Sequence, residues 1–143
     1  MILIDANILL YAHDRTASKH EAARRWVEEA VAKREELAFA WVTLLAFLRL
    51  STNPRVYPRA LSMREALEIL DAYLSRSHVL RLDPTANHWK LLRDLCHSSQ
   101  ITSRLVTDAH LAALAIEHGA ALCTTDRDFT RFDGLKTIDP LAA

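Results

Sequence analysis

Short apolar runs, most of them followed closely by a polar residue, are the feature of this sequence that most restricts its fold. They lie within residues 1–4, 37–40, 78–82 and 121–125, and residues 136–138 are a last, short strand candidate. Each run is too short for a core helix, and most lack the alternation of a strand with one face in water, so we predict strands that are buried on both faces. Strands of this kind belong to sheets that helices cover on both sides.

The segments between these runs are predicted to be helical. They comprise a short helix after Asp5, then residues 18–33, 43–50, 62–75, 83–96 and 107–118, with a turn at 126–132. Ser18 with Glu21, and Ser62 with Glu65, carry the capping-box pattern of a helix start. Gly119 stands where a C-terminal cap glycine is expected.

Alternation of short strands with helices predicts the fold class. A chain of 143 residues has the size of one ordinary domain. We therefore predict that residues 1–143 form a single α/β domain, a three-layer α/β/α sandwich with a mostly parallel central sheet. Residues 43–50 are almost wholly apolar apart from Arg49, which predicts a buried helix. In open parallel sheets, ligands bind beyond the carboxyl ends of the strands.

Composition narrows the class further. Half of the residues are hydrophobic and a quarter are charged, with only 2 glycines, which argues against disorder and against a turn-rich all-β protein. The two cysteines, Cys96 and Cys123, match no metal or redox spacing. Because the N-terminus lacks the features of a signal peptide and no apolar run approaches the roughly 20 residues of a membrane span, we expect a cytoplasmic protein without a membrane partner.

Three aspartates occupy positions where the predicted sheet would gather ligands. Asp5 follows the first strand, Asp126 follows the strand at 121–125, and Asp108 begins the helix at 107–118. The carboxyl ends of parallel strands meet at one edge of a sheet, and a helix N-terminus favours an ionised carboxylate. The three carboxylates are therefore expected to converge on one crevice.

Taken singly, each of these acids has an ordinary explanation. Asp5 and Asp108 suit helix caps, and Asp126 suits a turn. Taken together, close carboxylates raise one another's pKa unless a cation neutralises them. Oxygen ligands without cysteine or histidine suit Mg²⁺, with Mn²⁺ as an alternative. Cations of this kind activate water and offset the charge that develops in phosphodiester hydrolysis, which is the chemistry that these residues predict.

Three segments of the chain resemble PIN-domain proteins of the VapC type. They are DANILLYA, WVTLLAFLRLSTNPRVY and SRLVTDAHLAALAIEHGAALCTTDRDFTRF. The likeness extends from the first residue to about Ile138. Within the third segment, the block from Thr107 to Phe129 is the most specific, because it contains the acid at the helix start, the strand and the TTDRDF turn in that order.

This resemblance implies a Mg²⁺-dependent endoribonuclease that acts as the toxin of a toxin–antitoxin pair. It further implies RNA as the substrate, a small VapB-like antitoxin as the partner, and a homodimer. Asp5, Asp108 and Asp126 match the acids of the family that hold the metal and carry out catalysis.

Other polar residues beside these acids are expected to assist them. Asp128, two residues after Asp126, is predicted to be an accessory ligand. Asn7 and Thr125 are predicted to orient the acids through hydrogen bonds. Ordinary turn and cap hydrogen bonds explain these two residues equally well.

The sequence departs from the family pattern at one position. Proteins of this type usually carry a glutamate in the helix after the second strand, and Ala46 stands in its place here. This leaves a second hypothesis open, in which the chain is a catalytically weak or inactive PIN domain that binds RNA or a protein.

A basic segment provides candidate contacts to RNA. The net charge of the chain is zero, but residues 37–64 contain no acid. We predict that Arg55, Arg59 and Arg64 bind RNA phosphates and that Tyr57 stacks on a base, chiefly because of the family resemblance. A solvated basic surface is the alternative.

Overall fold

The computed structural model describes residues 1–142, whose strands form one five-stranded parallel sheet. The strands are β1 (Ile2–Ile4), β2 (Leu37–Ala40), β3 (Val79–Leu82), β4 (Ala121–Cys123) and β5 (Thr137–Ile138). Their order across the sheet is β3-β2-β1-β4-β5, and every neighbouring pair is parallel. The prediction of a mostly parallel sheet is confirmed, although several strands are shorter than the apolar runs.

Helices cover both faces of the sheet. They are α1 (Ala6–His13), α2 (His20–Ala32), α3 (Trp41–Ser51), α4 (Met63–Leu74), α5 (His88–Ser98) and α6 (Val106–Glu117), with 3₁₀ turns at Ser103–Leu105 and Arg127–Arg131. Side chains of a strand point alternately to opposite faces. In β2, Leu37 and Phe39 therefore pack in the core with α1 to α4, whereas Ala38 and Ala40 pack in the core with α5 and α6. This arrangement confirms the three-layer sandwich.

None of the helices within residues 1–142 is long and apolar enough to cross a membrane.

Of the helix ends predicted at Ser18, Ser62 and Gly119, the first is wrong and the other two are confirmed. Ser18 does not cap a helix, because residues 15–19 form turns and α2 begins only at His20 without a side-chain cap. The capping box that begins at Ser62 is confirmed in full. Gly119 follows the end of α6 with a φ of 66°, as expected for a residue in the left-handed region.

The helix predicted to begin at Asp83 and Pro84 starts later, at His88. The intervening loop is instead bonded to α6, because the backbone N–H of Thr85 donates to a carboxylate oxygen of Glu117 at 2.9 Å. A tertiary contact of this kind cannot be read from local helix signals.

Helix α3 is longer and less buried than predicted. It begins at Trp41, and Trp41, Leu45 and Arg49 face solvent one turn apart along one side. The side chains of Thr43 and Phe47 lie in the interior. A single helix between the sheet and solvent can bury only one side, whatever its composition.

The centre of the sheet sets the position of the functional residues. The chain proceeds from β1 to β2 and β3 on one side, and later to β4 and β5 on the other, so the strand order reverses between β1 and β4. The pairing of Ile4 with Cys123 places the ends of these two strands side by side. The backbone N–H of Asp5 continues the ladder by donating to the carbonyl of Cys123 at 3.0 Å. Such a reversal opens a crevice at the carboxyl ends of the strands.

Candidate active site

Asp5 lies at the end of β1 and also starts α1. Its Oδ1 accepts a hydrogen bond of 2.7 Å from the backbone N–H of Ala6, and its backbone is extended, as for an N-cap. Its Oδ2 accepts a second hydrogen bond of 2.7 Å from the hydroxyl of Thr124. Both carboxylate oxygens are therefore fixed in position at the crevice.

Thr124 connects the ends of the two central strands. Besides donating to Asp5, its buried hydroxyl accepts a hydrogen bond of 3.0 Å from the backbone N–H of Asp126. One side chain thus sets the position of a carboxylate after β1 and of the backbone that carries a carboxylate after β4. The sequence-based prediction had assigned the orienting role to its neighbour Thr125.

The other three acids form a compact group. Asp108 in the first turn of α6, Asp126 after β4 and Asp128 in the following 3₁₀ turn have carboxylate oxygens that all lie within 4.8 Å of one another. The turn holds its own shape, because Oδ1 of Asp126 accepts the backbone N–H of Asp128 at 2.9 Å. Asp128, predicted only as an accessory residue, is one of the three members of this group.

The acids interact strongly through their charges. The pKa of Asp108 is raised to about 6, first by burial and then by the charges of Asp126, Asp5 and Asp128, while Arg104 opposes the shift. The pKa of Asp5 is also raised, mainly by burial and to a smaller extent by Asp126, against the lowering effect of its bonds to Thr124 and Ala6. Asp5 lies outside the 4.8 Å group, but it belongs to the same electrostatic site.

Two arginines contact the compact group at Asp128. Nη1 of Arg104 lies 3.3 Å from Oδ2 of Asp128, and Nη2 of Arg131 lies 3.5 Å from Oδ1. Arg131 also donates from Nε to the backbone carbonyl of Asp128 at 3.1 Å. These cations offset part of the negative charge of the site.

Asn7 and Thr125 contact each other. Nδ2 of Asn7 donates to the hydroxyl of Thr125 at 3.2 Å. The Oδ1 atom of Asn7 is buried and finds no hydrogen-bond partner among residues 1–142. In place of a direct contact with an acid, the pair provides one unsatisfied oxygen acceptor near the start of α1.

This donor set fits a hard divalent cation. The compact group offers carboxylate oxygens only, without a cysteine or histidine ligand. The buried Oδ1 of Asn7, which has no hydrogen-bond partner among residues 1–142, is a further oxygen near the start of α1. Mg²⁺ and Mn²⁺ prefer such oxygen ligands. Burial, and then the charges of Asp126, Asp5 and Asp128, raise the pKa of Asp108, and a bound cation would offset both effects by favouring the ionised carboxylate.

Thr124 was not among the site residues predicted from the sequence. Neither were Arg104 and Arg131, the two arginines that contact Asp128. A threonine two residues before an aspartate is a local turn pattern, so the bond to the N–H of Asp126 had a recognisable signal. The bond from Thr124 to Asp5 had none, because it joins residues 119 positions apart. The pair formed by Arg104 and Asp128 likewise spans 24 positions.

The predicted RNA-binding arginines lie in the loop after α3 and at the start of α4. Arg55 and Arg64 are exposed, and Arg64 forms an ion pair of 3.4 Å with Glu68. Arg59 and Tyr57 line a cavity of about 620 Å³ among α1 to α4, whose lining includes none of the four acids. The basic segment therefore borders a second concave region.

The chain is similar to known proteins over nearly its whole length. The PIN domain family model matches residues 2–135. Ribonuclease VapC37 of Mycobacterium tuberculosis is 38% identical over 142 residues, and the match covers 99% of both chains. Ribonuclease VapC31 of the same species is 35% identical, with 98% of this chain and 99% of the relative covered.

Solved structures share the fold at lower sequence identity. VapBC2 from Rickettsia felis, bound to a DNA fragment from its promoter, has a TM-score of 0.68 at 20% identity and covers 96% of this chain and 98% of that one. VapBC-1 from nontypeable Haemophilus influenzae has a TM-score of 0.69 at 17% identity and covers 98% of each. These structures show the shared fold, and the family model and the relatives above show that the chain belongs to the PIN-domain family and, within it, to the VapC ribonucleases.

Proposed function

We propose that this chain is a divalent-metal-dependent endoribonuclease that hydrolyses RNA phosphodiester bonds as the toxin of a toxin–antitoxin pair. The observation that carries the proposal is the compact group of Asp108, Asp126 and Asp128 at the strand-order reversal, beside Asp5. Membership of the VapC ribonucleases supports the activity and the choice of RNA.

The proposed ligands of one Mg²⁺ or Mn²⁺ are Asp108, Asp126 and Asp128, with Asp5 as a fourth carboxylate in the same site. When bound, the cation would supply Lewis-acid stabilisation of the charge that grows on the phosphoryl oxygens. The chain's own residues position the carboxylates: Thr124 fixes Asp5 and the backbone of Asp126. Carboxylates held in this way would bind a cation at a fixed position without rearrangement of the site during the reaction.

A cleavage assay with paired variants tests this proposal. Purified protein is incubated with a mixed-sequence RNA in Mg²⁺, in Mn²⁺ and in EDTA. We expect cleavage in either metal and none in EDTA, and Asp126→Asn should reduce the rate by at least about a hundredfold, in line with the loss of a metal ligand. A matched change far from the site, Asp71→Asn on α4, should leave the rate unaltered. Cleavage that persists in EDTA would refute the metal dependence.

The competing hypothesis is a PIN domain that binds without cleaving. It is favoured by Ala46 in α3, where the family pattern has a glutamate. Against it, three carboxylates come within 4.8 Å of one another without any residue of α3. RNA binding without cleavage in every metal tested would favour this alternative.

We propose a VapB-like antitoxin as the protein partner. Family membership supports this partner. The cavity of about 620 Å³ among α1 to α4 would accept apolar side chains of a peptide, because Leu10, Phe47 and Ile69 line it. Co-expression with the product of an adjacent small open reading frame should yield a complex in which RNA cleavage is inhibited.

A homodimer is the proposed assembly, and its support is the exposed side of α3. Trp41 and Leu45 have 48% and 59% of their surface accessible. Adjacent large apolar side chains at this exposure are typical of a protein interface.

Arg55, Arg59 and Arg64 are proposed to bind RNA phosphates outside the catalytic crevice.

A further inference from the structure

Arg104 and Arg131 both contact Asp128, but they are held there very differently. Arg131 belongs to the same 3₁₀ turn as Asp128, and its Nε is fixed on the backbone carbonyl of that residue at 3.1 Å. Arg104 approaches from the turn before α6 through a single ion pair of 3.3 Å, with 72% of its side chain exposed. Within residues 1–142, the guanidinium of Arg104 makes no other hydrogen bond or ion pair. Exposed single ion pairs are weak and exchange readily.

The balance of charge in the site indicates what would release Arg104 from Asp128. Four carboxylates, those of Asp5, Asp108, Asp126 and Asp128, face two guanidiniums, so the formal excess is two negative charges. One divalent cation would neutralise this excess. A cation that takes an oxygen of Asp128 competes with Arg104 for the same carboxylate and repels its charge. Arg131 would keep its bond to the backbone carbonyl of Asp128, whereas Arg104 would lose its only ion-pair partner among residues 1–142.

This inference rests on the proposed ribonuclease function. We propose that Arg104 is a phosphate-binding residue, whose guanidinium exchanges Asp128 for a non-bridging phosphate oxygen of RNA when a divalent cation occupies the acidic group. Arginine suits this role because its planar set of donors matches phosphate oxygens and its charge is permanent.

The location of Arg104 supports this exchange. It lies four residues before Asp108, and its guanidinium contacts Asp128, whose carboxylate belongs to the same compact group as that of Asp108. RNA is a polyanion and is repelled by uncompensated carboxylates. The exposed guanidinium of Arg104, at the rim of the site, would attract the RNA strand at the point where the RNA enters the site.

The test measures RNA binding and metal binding separately in Arg104→Gln. The control is Arg25→Gln, which removes the same charge from an exposed residue of α2 that forms no ion pair in the described part of the chain. Binding of a fluorescein-labelled single-stranded RNA is followed by anisotropy in Ca²⁺ over a series of salt concentrations, and electrophoresis checks that the RNA stays intact. Binding of Mn²⁺ without RNA is measured by calorimetry.

We expect Arg104→Gln to weaken RNA binding about tenfold, as for the loss of one charged hydrogen bond. The slope of log K against log salt should fall by about 0.7, the value for one phosphate contact to a single strand. Mn²⁺ binding should become tighter, because a competing cation is removed. Arg104→Lys should fall between the wild type and Arg104→Gln in RNA affinity, and Arg25→Gln should match the wild type.

The opposite signs of the two effects separate substrate binding from a structural role. If Arg104 merely maintained the site, its loss would weaken Mn²⁺ binding, and that result would overturn the proposal. The proposal would also be overturned if Arg104→Gln bound RNA no worse than Arg25→Gln. If the wild-type protein still cleaved RNA in that case, the ribonuclease function would remain intact. Wild-type protein that neither binds nor cleaves RNA would overturn the ribonuclease function itself, and with it the role of Arg104.

Discussion

The hydroxyl of Thr124 donates a hydrogen bond of 2.7 Å to Oδ2 of Asp5, and so joins the residue that follows β4 to the residue that follows β1. The hydroxyl oxygen of Thr124 also accepts a hydrogen bond from the backbone N–H of Asp126. These two bonds connect the carboxylate at the end of one central strand with the turn at the end of the other. The spacing of the acids in the site therefore depends on a neutral side chain.

Replacing Thr124 with valine should disturb the site while preserving its volume. Asp5 would lose a donor and the N–H of Asp126 would lose its acceptor inside the protein, which costs about 1–3 kcal/mol of unfolding free energy. Mg²⁺ affinity and RNA cleavage should fall roughly 10- to 100-fold, as for other groups that orient ligands. Thr124→Ser keeps the hydroxyl and should retain most of the activity. Equal losses in both variants, measured by calorimetry and cleavage rate, would contradict the role of the hydrogen bonds.

Mg²⁺ should stabilise the protein against unfolding. A ligand that binds only the folded state adds about 1.4 kcal/mol to the free energy of unfolding at ten times its Kd. In Asp126→Asn the effect should largely disappear, because one of three grouped oxygen ligands is lost. Thermal melts with and without Mg²⁺ measure the difference. An equal rise in Tm for the wild type and the variant would argue that the ion acts elsewhere on the surface.

The pH dependence of stability should reveal the cost of keeping Asp108 ionised where it is partly buried and close to other acids. The pKa of Asp108 is about 6 in the folded protein, against an ordinary value of 3.8. The folded state therefore binds a proton that the unfolded chain releases, so this contribution to stability is complete below pH 4 and is lost as the pH rises through 6. In EDTA, acidification from pH 7 to pH 5 should stabilise the protein through this group, and it should weaken Mg²⁺ binding because the proton and the cation compete.

The variant Asp108→Asn isolates this effect. It removes the carboxylate that titrates, and at pH 7 it should raise the unfolding free energy of the metal-free protein by on the order of 1 kcal/mol, after allowance for solvent screening. Urea titrations at pH 5, 6 and 7 compare the two proteins. If the difference between them does not shrink on acidification, Asp108 is not the group responsible.

A second polar network should affect stability and leave the chemistry alone. Nδ1 of His88 lies 3.0 Å from a carboxylate oxygen of the buried Glu117, and Nε2 lies 2.8 Å from His110 on α6. His88→Leu removes the partner of one buried carboxylate oxygen of Glu117 and should cost about 1–3 kcal/mol of unfolding free energy, as for a buried polar group that loses its hydrogen bond. The double variant with Glu117→Leu should recover part of that loss. Chemical denaturation measures both, and unchanged cleavage below the unfolding temperature separates this network from the catalytic site.

The exposed side of α3 should govern self-association. Leu45→Glu places a charge among apolar side chains with little effect on the fold, because Leu45 is 59% exposed. We expect the wild type to be a dimer by light scattering and the variant to be a monomer. As a control, Leu67→Glu on α4, at 44% exposure, should leave the dimer intact. Dimers in both variants would place the interface elsewhere.

The local pattern of the sequence was sufficient for the sheet and for the positions of the main acids. Short apolar runs dictate strands buried on both faces, and acids that follow such strands must emerge at one edge when the strands are parallel. Asp5 and Asp126 were located in this way. The register of β1 against β4, which brings them together, is not a local property.

What the sequence alone determined is where strands, helices and carboxylates occur, because hydrophobic periodicity and capping act over a few residues. Tertiary structure decided which residues meet: Thr124 rather than Thr125 holds Asp5, Asp128 joins the grouped acids, and Arg104 reaches Asp128 across 24 positions. It also left one side of the apolar helix α3 in solvent. Contacts of this kind depend on strand order and on how the layers pack, which arise only when the whole chain has folded.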